Sequence, residues 1–163
     1  VLIFQRTLRQ AAALPYVWTP KGVEVALITS KDRKRWIIPK GWPEKNLSLG
    51  SVAAIEAMEE AGIHGIIAPE PAGSFVYEKR LDQGYAVPCN VLVFPLLACE
   101  QRLTWKEKKR RRLMWLPLDE VAKTADDRGL AKLLGQLATK LDRLPPLAED
   151  AGKAGEENRI TTR

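Results

Sequence analysis

The stretch Pro39-Lys-Gly-Trp-Pro-Glu-Lys-Asn-Leu-Ser-Leu-Gly-Ser-Val-Ala-Ala-Ile-Glu-Ala-Met-Glu-Glu-Ala-Gly-Ile63 decides how the rest of the chain is read. Ser48 is a good N-terminal helix cap, and Gly62 suits a left-handed C-terminal stop, so the spacing predicts a helix from about Leu49 to Ala61. On that helix Glu56, Glu59 and Glu60 are three and four residues apart and share one face. Three like charges so spaced repel one another and cost helix stability. A hard cation such as Mg²⁺ reverses that cost, because it prefers carboxylate and phosphate oxygens. Gly41, between Lys40 and Trp42, lets a backbone carbonyl approach the same cation. Taken alone, an acidic run of this kind is more often a solvated helix face.

Working outward, Val23–Ser30 is apolar and β-branched at nearly every position, as expected of a strand covered on both faces. Arg35–Pro39 reads as a short extended piece, since Pro39 keeps Ile38 out of the helical region. Ser74–Lys79, Pro88–Phe94 and Leu113–Leu116 read as further strands. Pro95, unable to donate to a ladder, is expected to end pairing or to sit on an edge. A helical turn around Leu118 to Ala122 precedes an amphipathic helix that follows Asp126 or Asp127. That helix carries Leu130, Leu133, Leu134, Leu137 and Leu141 at a period near 3.6. Residues 145–163, rich in Gly, Ala, Glu and Lys, read as a loosely held tail. The expected architecture is one α+β domain over residues 1–144, built as an α/β/α sandwich.

Composition narrows the chemistry. The chain has 163 residues, 45% apolar and 28% charged, which is the balance of a folded globular protein. No apolar run approaches the roughly 18 residues that a spanning helix needs. Residues 1–14 lack a secretory layout. The two cysteines, Cys89 and Cys99, suit a reduced, cytoplasmic protein, and with the single His64 they do not make a zinc site. Any metal would be held by oxygen. With 26 Lys and Arg against 20 Asp and Glu, the net charge of +6 points to an anionic partner, whether nucleotide, RNA or lipid.

Gly41, Glu56, Ala57, Glu59, Glu60, Gly62 and Ile63 match in register the signature of the Nudix family, which the segment resembles. The strands on either side also look like those of a Nudix domain, a mixed sheet flanked by helices. Pro39-Lys40-Gly41-Trp42-Pro43, Trp105-Lys106-Glu107 and Arg112-Leu-Met-Trp115 are more specifically similar to the branch that hydrolyses diphosphoinositol and dinucleoside polyphosphates. The resemblance implies cleavage of a phosphoanhydride bond by water, with Mg²⁺ or Mn²⁺. It also implies that Glu56 and Glu60 are the main metal ligands, with Glu59 beside them and the Gly41 carbonyl as a further ligand. Two positions depart from the family pattern. Leu47 stands where Glu is usual and Ile55 where Arg is usual, so an ion pair is replaced by an apolar pair, an exchange that can be neutral or stabilising.

The general base is left open among the glutamates and later carboxylates, with Glu78, Glu100 and Glu107 as candidates. The basic clusters Lys31–Arg35 and Lys106–Arg112 read as a phosphate-gripping rim, with Arg35, Lys40, Lys109, Arg110 and Arg111 as substrate-binding residues. A strand alternates its side chains, so about half of the second cluster is expected to face the site. Solubility or a nucleic-acid contact is the alternative use of this charge, and a small anionic phosphate is the favoured partner. Among the tryptophans, Trp36 and Trp115 read as core residues and the others as stacking surfaces. His64 reads as structural or exposed. The rival to an enzyme is a catalytically weakened protein of the same fold that binds a phosphorylated ligand or RNA, a reading that Ile55 and Leu47 favour.

Overall fold

Along β1 (Leu8–Thr19), Ala11 and Ala13 pack to one side, Ala12, Leu14 and Tyr16 to the other, and all five are buried. Such alternation belongs to a strand covered on both faces. In the computed structural model, which describes residues 7–146, β1 lies inside an eight-stranded mixed sheet. β2 (Gly22–Thr29) follows it through a tight hairpin and pairs antiparallel over Tyr16–Thr19. Beyond that hairpin end the two strands part. The fork between them is filled by β3 (Trp36–Ile37) on the β2 side and β4 (Lys40–Gly41) on the β1 side, with Ile28 opposite Ile37 and Ala11 opposite Gly41. The fork is what brings Gly41 into the middle of the molecule.

On the other edge of β1 runs β7 (Ala86–Gln101), in parallel. The far edge of β7 is shared by β5 (Ile63–Ile67) and β6 (Gly73–Arg80), both antiparallel to it. β8 (Leu113–Pro117) extends the sheet beyond β2. Pro95 corrects the expectation of an edge or a strand end, because it is buried in mid-strand opposite Leu14. Its carbonyl accepts from the Ala68 amide at 2.8 Å, so its missing N–H faces the same side. There the neighbour of β7 changes from β5 to β6, and no ladder bond is lost.

One face of the sheet carries α1 (Leu49–Glu56), which runs on into a π-helical turn, Ala57–Ala61. Small residues meet at this contact, Ala11, Ala13 and Ala26 from the sheet with Ala53, Ala57 and Ala61 from the helix, so the backbones lie close. The other face carries α2 (Leu118–Thr124) and α3 (Arg128–Ala138). Asp127 caps α3 by accepting from the Leu130 amide at 2.9 Å, and Leu130, Leu133, Leu134 and Leu137 fill the core. Leu141 falls outside the helix and is 38% exposed, while Leu144 is fully buried in its stead. The Tyr16 hydroxyl donates to the Pro145 carbonyl at 2.6 Å and so ties the last described residues to β1. Most of the expected tail, residues 147–163, lies outside the described residues.

Candidate active site

The carboxylates owe their geometry to how the helix ends. Ser48 accepts from the Ser51 amide at 3.1 Å at its start, and Gly62, at φ 66°, closes it in the left-handed region. The π-helical turn between Glu56 and Gly62 is wider than an α-turn. It brings residues four apart, Glu56 and Glu60, closer to one line, and swings Glu59 away from them. Glu60 is accordingly buried, at 7% exposure, whereas Glu59 turns to the rim and pairs with Lys106 at 3.5 Å. Gly41, in the fork, lies directly under Glu56. A β-carbon on Gly41 would fall on the Glu56 carboxylate, so only glycine permits this approach.

A helix end leaves carbonyls without partners. The segment after β7 supplies them. Arg102 N donates to Gly62 O at 2.8 Å, Trp105 Nε1 to Glu60 O at 3.2 Å and Glu107 N to Glu59 O at 3.0 Å. Capping the helix in this way sets the Glu107 and Arg111 side chains against Glu60. Arg111 Nη2 lies 3.3 Å from Glu60 Oε1 and 3.6 Å from Glu107 Oε1, and Lys31 reaches Glu107 Oε1 at 3.0 Å.

Burial dominates the electrostatics. It pushes the Glu60 carboxyl up to about 8, with Glu56 adding to the rise and Arg111 and Lys40 opposing it. Burial likewise raises Glu56, helped by Glu59, Glu107 and Glu44. Lys40 is lowered by its own burial, against the pull of Glu60. Its ammonium rests 5.1 Å from the centre of the Tyr77 ring, and Tyr77 donates to Gln10 Oε1 at 2.6 Å.

Glu56, Glu59, Glu60, Gly41 and Glu107 open together onto a cleft of about 620 Å³, which Lys31, Lys40, Trp42, Arg110 and Arg111 also line. Beyond Lys40 a second hollow, of about 240 Å³, has Arg33, Arg35, Lys79 and Arg80 around its mouth and Phe75 and Tyr77 in its wall, with Asp32, Glu78 and Asp127 among the remaining lining. The expected rim divides accordingly. Arg35 and Lys40 border the hollow, Arg110 borders the cleft, and Lys109 lines neither. Arg111 differs from expectation, since its side chain is only 7% exposed and is engaged with protein groups. Of the proposed bases, Glu107 lies in the cleft and Glu78 in the hollow, while Glu100 pairs with Arg102 on the surface. Lys79 and Arg80 were not singled out from sequence, although a basic pair at a strand end was the available signal.

Leu47 is 40% exposed, so it does not form with Ile55 the sealed apolar pair expected in place of an ion pair. Trp36 and Trp115 pack against the core as expected, Trp42 is 44% exposed beside the cleft, and Trp105 is spent on the helix end. Cys89 is buried and Cys99 is exposed, both as free thiols.

Among the described residues no three acidic, histidine or cysteine side chains form a ready-made metal cage. The donor set of Glu56, Glu60 and Gly41 nonetheless fits an oxygen-preferring cation that keeps several positions for water and phosphate. Glu60 Oε2 is buried without a hydrogen-bond partner, a cost that a bound cation would remove.

No family model matches the chain. Among curated proteins it is 29% identical over 107 residues to the Arabidopsis thaliana protein Nudix hydrolase 16, mitochondrial, covering 64% of this chain and 59% of the relative. It is 30% identical over 101 residues to Nudix hydrolase 12, mitochondrial, of the same plant, covering 60% and 50%. The chain thus spans between half and three fifths of the length of these relatives. Among solved structures, C. elegans Ap4A hydrolase superposes with a TM-score of 0.63 at 20% identity, covering 83% of this chain and 99% of that one. The NUDIX domain of Shewanella oneidensis NrtR complexed with ADP ribose gives 0.64 at 17% identity, covering 85% and 90%. At these identities the structural likeness is one of fold.

Proposed function

We propose that the chain is a member of the Nudix family, to whose hydrolases it is similar, and that it is a Mg²⁺- or Mn²⁺-dependent phosphohydrolase that cleaves a phosphoanhydride bond in a polyphosphorylated small molecule. The observation that carries this reading is the carboxylate pair of half-buried Glu56 and buried Glu60, with Glu56 set over Gly41 on one side of a large cleft and Glu60 Oε2 unpartnered. Glu56, Glu60 and the Gly41 carbonyl would hold the cation, with Glu59 beside them. Bound there, a divalent cation would neutralise charge on the phosphoryl oxygens as water attacks phosphorus and the anhydride oxygen leaves.

The chain's own residues supply the rest. Glu107 borders the same cleft and is pinned by Lys31 and Arg111, so it is the best-placed carboxylate to accept the proton of the attacking water. Lys40 stands between the cleft and the second hollow, where it can meet the phosphates that join the two halves of a substrate. The cleft volume, about 620 Å³, lies within the roughly 300–1,000 Å³ usual for ligand sites. The basic second hollow adds cations for further phosphates, which supports a dinucleoside or diphosphoinositol polyphosphate over a substrate with two phosphates. Among the described residues no helix is long and apolar enough to cross a membrane, and the two free thiols suit a reducing compartment such as the cytoplasm.

The second reading is a binding protein of the same fold that holds such a ligand without turnover, and Ile55 with Leu47 is the observation that favours it. Phosphate release from diadenosine polyphosphates, diphosphoinositol polyphosphates, ADP-ribose, oxidised dGTP and 5′-triphosphate RNA, with and without Mg²⁺ or Mn²⁺, tests the two. Metal-dependent release from a polyphosphate supports the hydrolase. Tight binding of a polyphosphate with no release under either metal establishes the rival.

A further inference from the structure

Arg111 makes contacts that a phosphate-gripping side chain would not. Its Nη1 donates to the Thr29 carbonyl at 3.0 Å, and its Nη2 faces Glu60 and Glu107 at 3.3 and 3.6 Å. The neighbouring backbone is bolted to the end of β2, with Thr29 N donating to Arg112 O at 3.0 Å and Arg112 N donating to Thr29 Oγ1 at 2.9 Å. Its Nε is buried, and the whole side chain is only 7% exposed.

We propose that Arg111 is a positioning residue, a fixed brace that sets the Glu60 and Glu107 carboxylates relative to each other. This rests on the hydrolase reading above. Neither Ile55 nor Leu47 can bring a charge to the carboxylates, and among the described residues Arg111 is the cation in ion-pair contact with Glu60. Glu60 comes from the helix and Glu107 from the segment that caps it, so one planar guanidinium fixes groups from two separate parts of the chain. It engages Oε1 of Glu60 and leaves Oε2 for another ligand. Anchorage to a backbone carbonyl gives the brace its rigidity, since a guanidinium held only by the two carboxylates would move with them.

The test compares wild type with Arg111→Met and Arg111→Lys. Mn²⁺ binding to the substrate-free protein is read from the electron paramagnetic resonance of the free ion, and kcat and KM are measured on one diadenosine polyphosphate. Loss of a group that orients metal ligands typically costs about 10–100-fold in affinity or activity. Arg111→Met should therefore weaken Mn²⁺ binding about 10-fold and lower kcat about 100-fold, with KM within about threefold. Arg111→Lys should recover only part, because one ammonium cannot reach both carboxylates and Thr29. A cation that merely repels the metal would give tighter Mn²⁺ binding on removal, and that result overturns the brace. So does a 10-fold rise in KM with kcat and Mn²⁺ affinity kept, which marks a substrate contact. If Arg111→Met does not fold, Arg111→Lys carries the same readings. Wild type that binds no Mn²⁺ overturns the hydrolase reading and the brace with it. Wild type and Arg111→Met that bind Mn²⁺ equally overturn the brace alone.

Discussion

The indole of Trp105 occupies the space that a β-carbon on Gly62 would fill, and its Nε1 donates to the Glu60 carbonyl at 3.2 Å. A left-handed glycine, a flat side chain and a free helix carbonyl thus lock the segment that carries Glu107 and Arg111 onto the end of the carboxylate helix. The bond is to backbone, so Trp105 orders the site without presenting a group to the substrate.

Gly62→Ala attacks this lock twice, through left-handed backbone strain at φ 66° and through the Trp105 ring. Strain of this type costs on the order of 1–3 kcal/mol, and the displaced indole adds to it. Urea unfolding should give a midpoint shifted down accordingly. An unchanged midpoint would mean that Trp105 moves aside freely.

Gly41→Ala tests the opposite wall. Its β-carbon collides with the Glu56 carboxylate, while β4 keeps its pairing with Ala11 and Ala12. The fold should survive by circular dichroism, and kcat should drop about 10–100-fold, the usual cost of disturbing a metal ligand. Full activity in this variant would remove Glu56 from the reaction.

Glu60→Gln separates folding from catalysis. Glu60 is raised to about 8 from 4.5, so the folded protein holds this proton more tightly than the unfolded chain does. Its contribution to stability is then fully present below pH 4.5 and is lost as pH rises to about 8. In EDTA, wild-type Tm should fall across that window more steeply than the Tm of Glu60→Gln, and near pH 8 the variant should be at least as stable. Activity should be almost abolished. Parallel Tm profiles for the two proteins would contradict the burial of a titrating Glu60.

Arg110 and Lys109 adjoin in sequence but differ in position, one lining the cleft and the other not. Arg110→Ala should raise KM for a polyphosphate, leave kcat nearly unchanged and flatten the dependence on KCl, as loss of a screened, uniform binding contact does. Lys109→Ala should change neither KM nor salt slope. Equal effects of the two would make the segment a diffuse basic surface.

The carboxylate helix was legible because its signals are local: Ser48 and Gly62 bound it, and Glu56 and Glu60 lie four residues apart, a relation the chain carries wherever it folds. The amphipathic leucines of α3 were legible for the same reason, although Leu141 continued the period past the point where the helix stops. β1 was not, since Ala11-Ala-Ala-Leu-Pro15 has weak strand propensity and becomes a strand only between β2 and β7. Pro95 misled for a related reason, because whether a missing N–H matters depends on which neighbour faces it. The charge of Arg111 was plain in the sequence, and its use was not. Thr29, Glu60 and Glu107 meet it only when β2, the helix end and the capping segment are packed together. Local spacing decides which carboxylates share a face, but which cation is buried against them depends on desolvation, and desolvation exists only in the assembled fold.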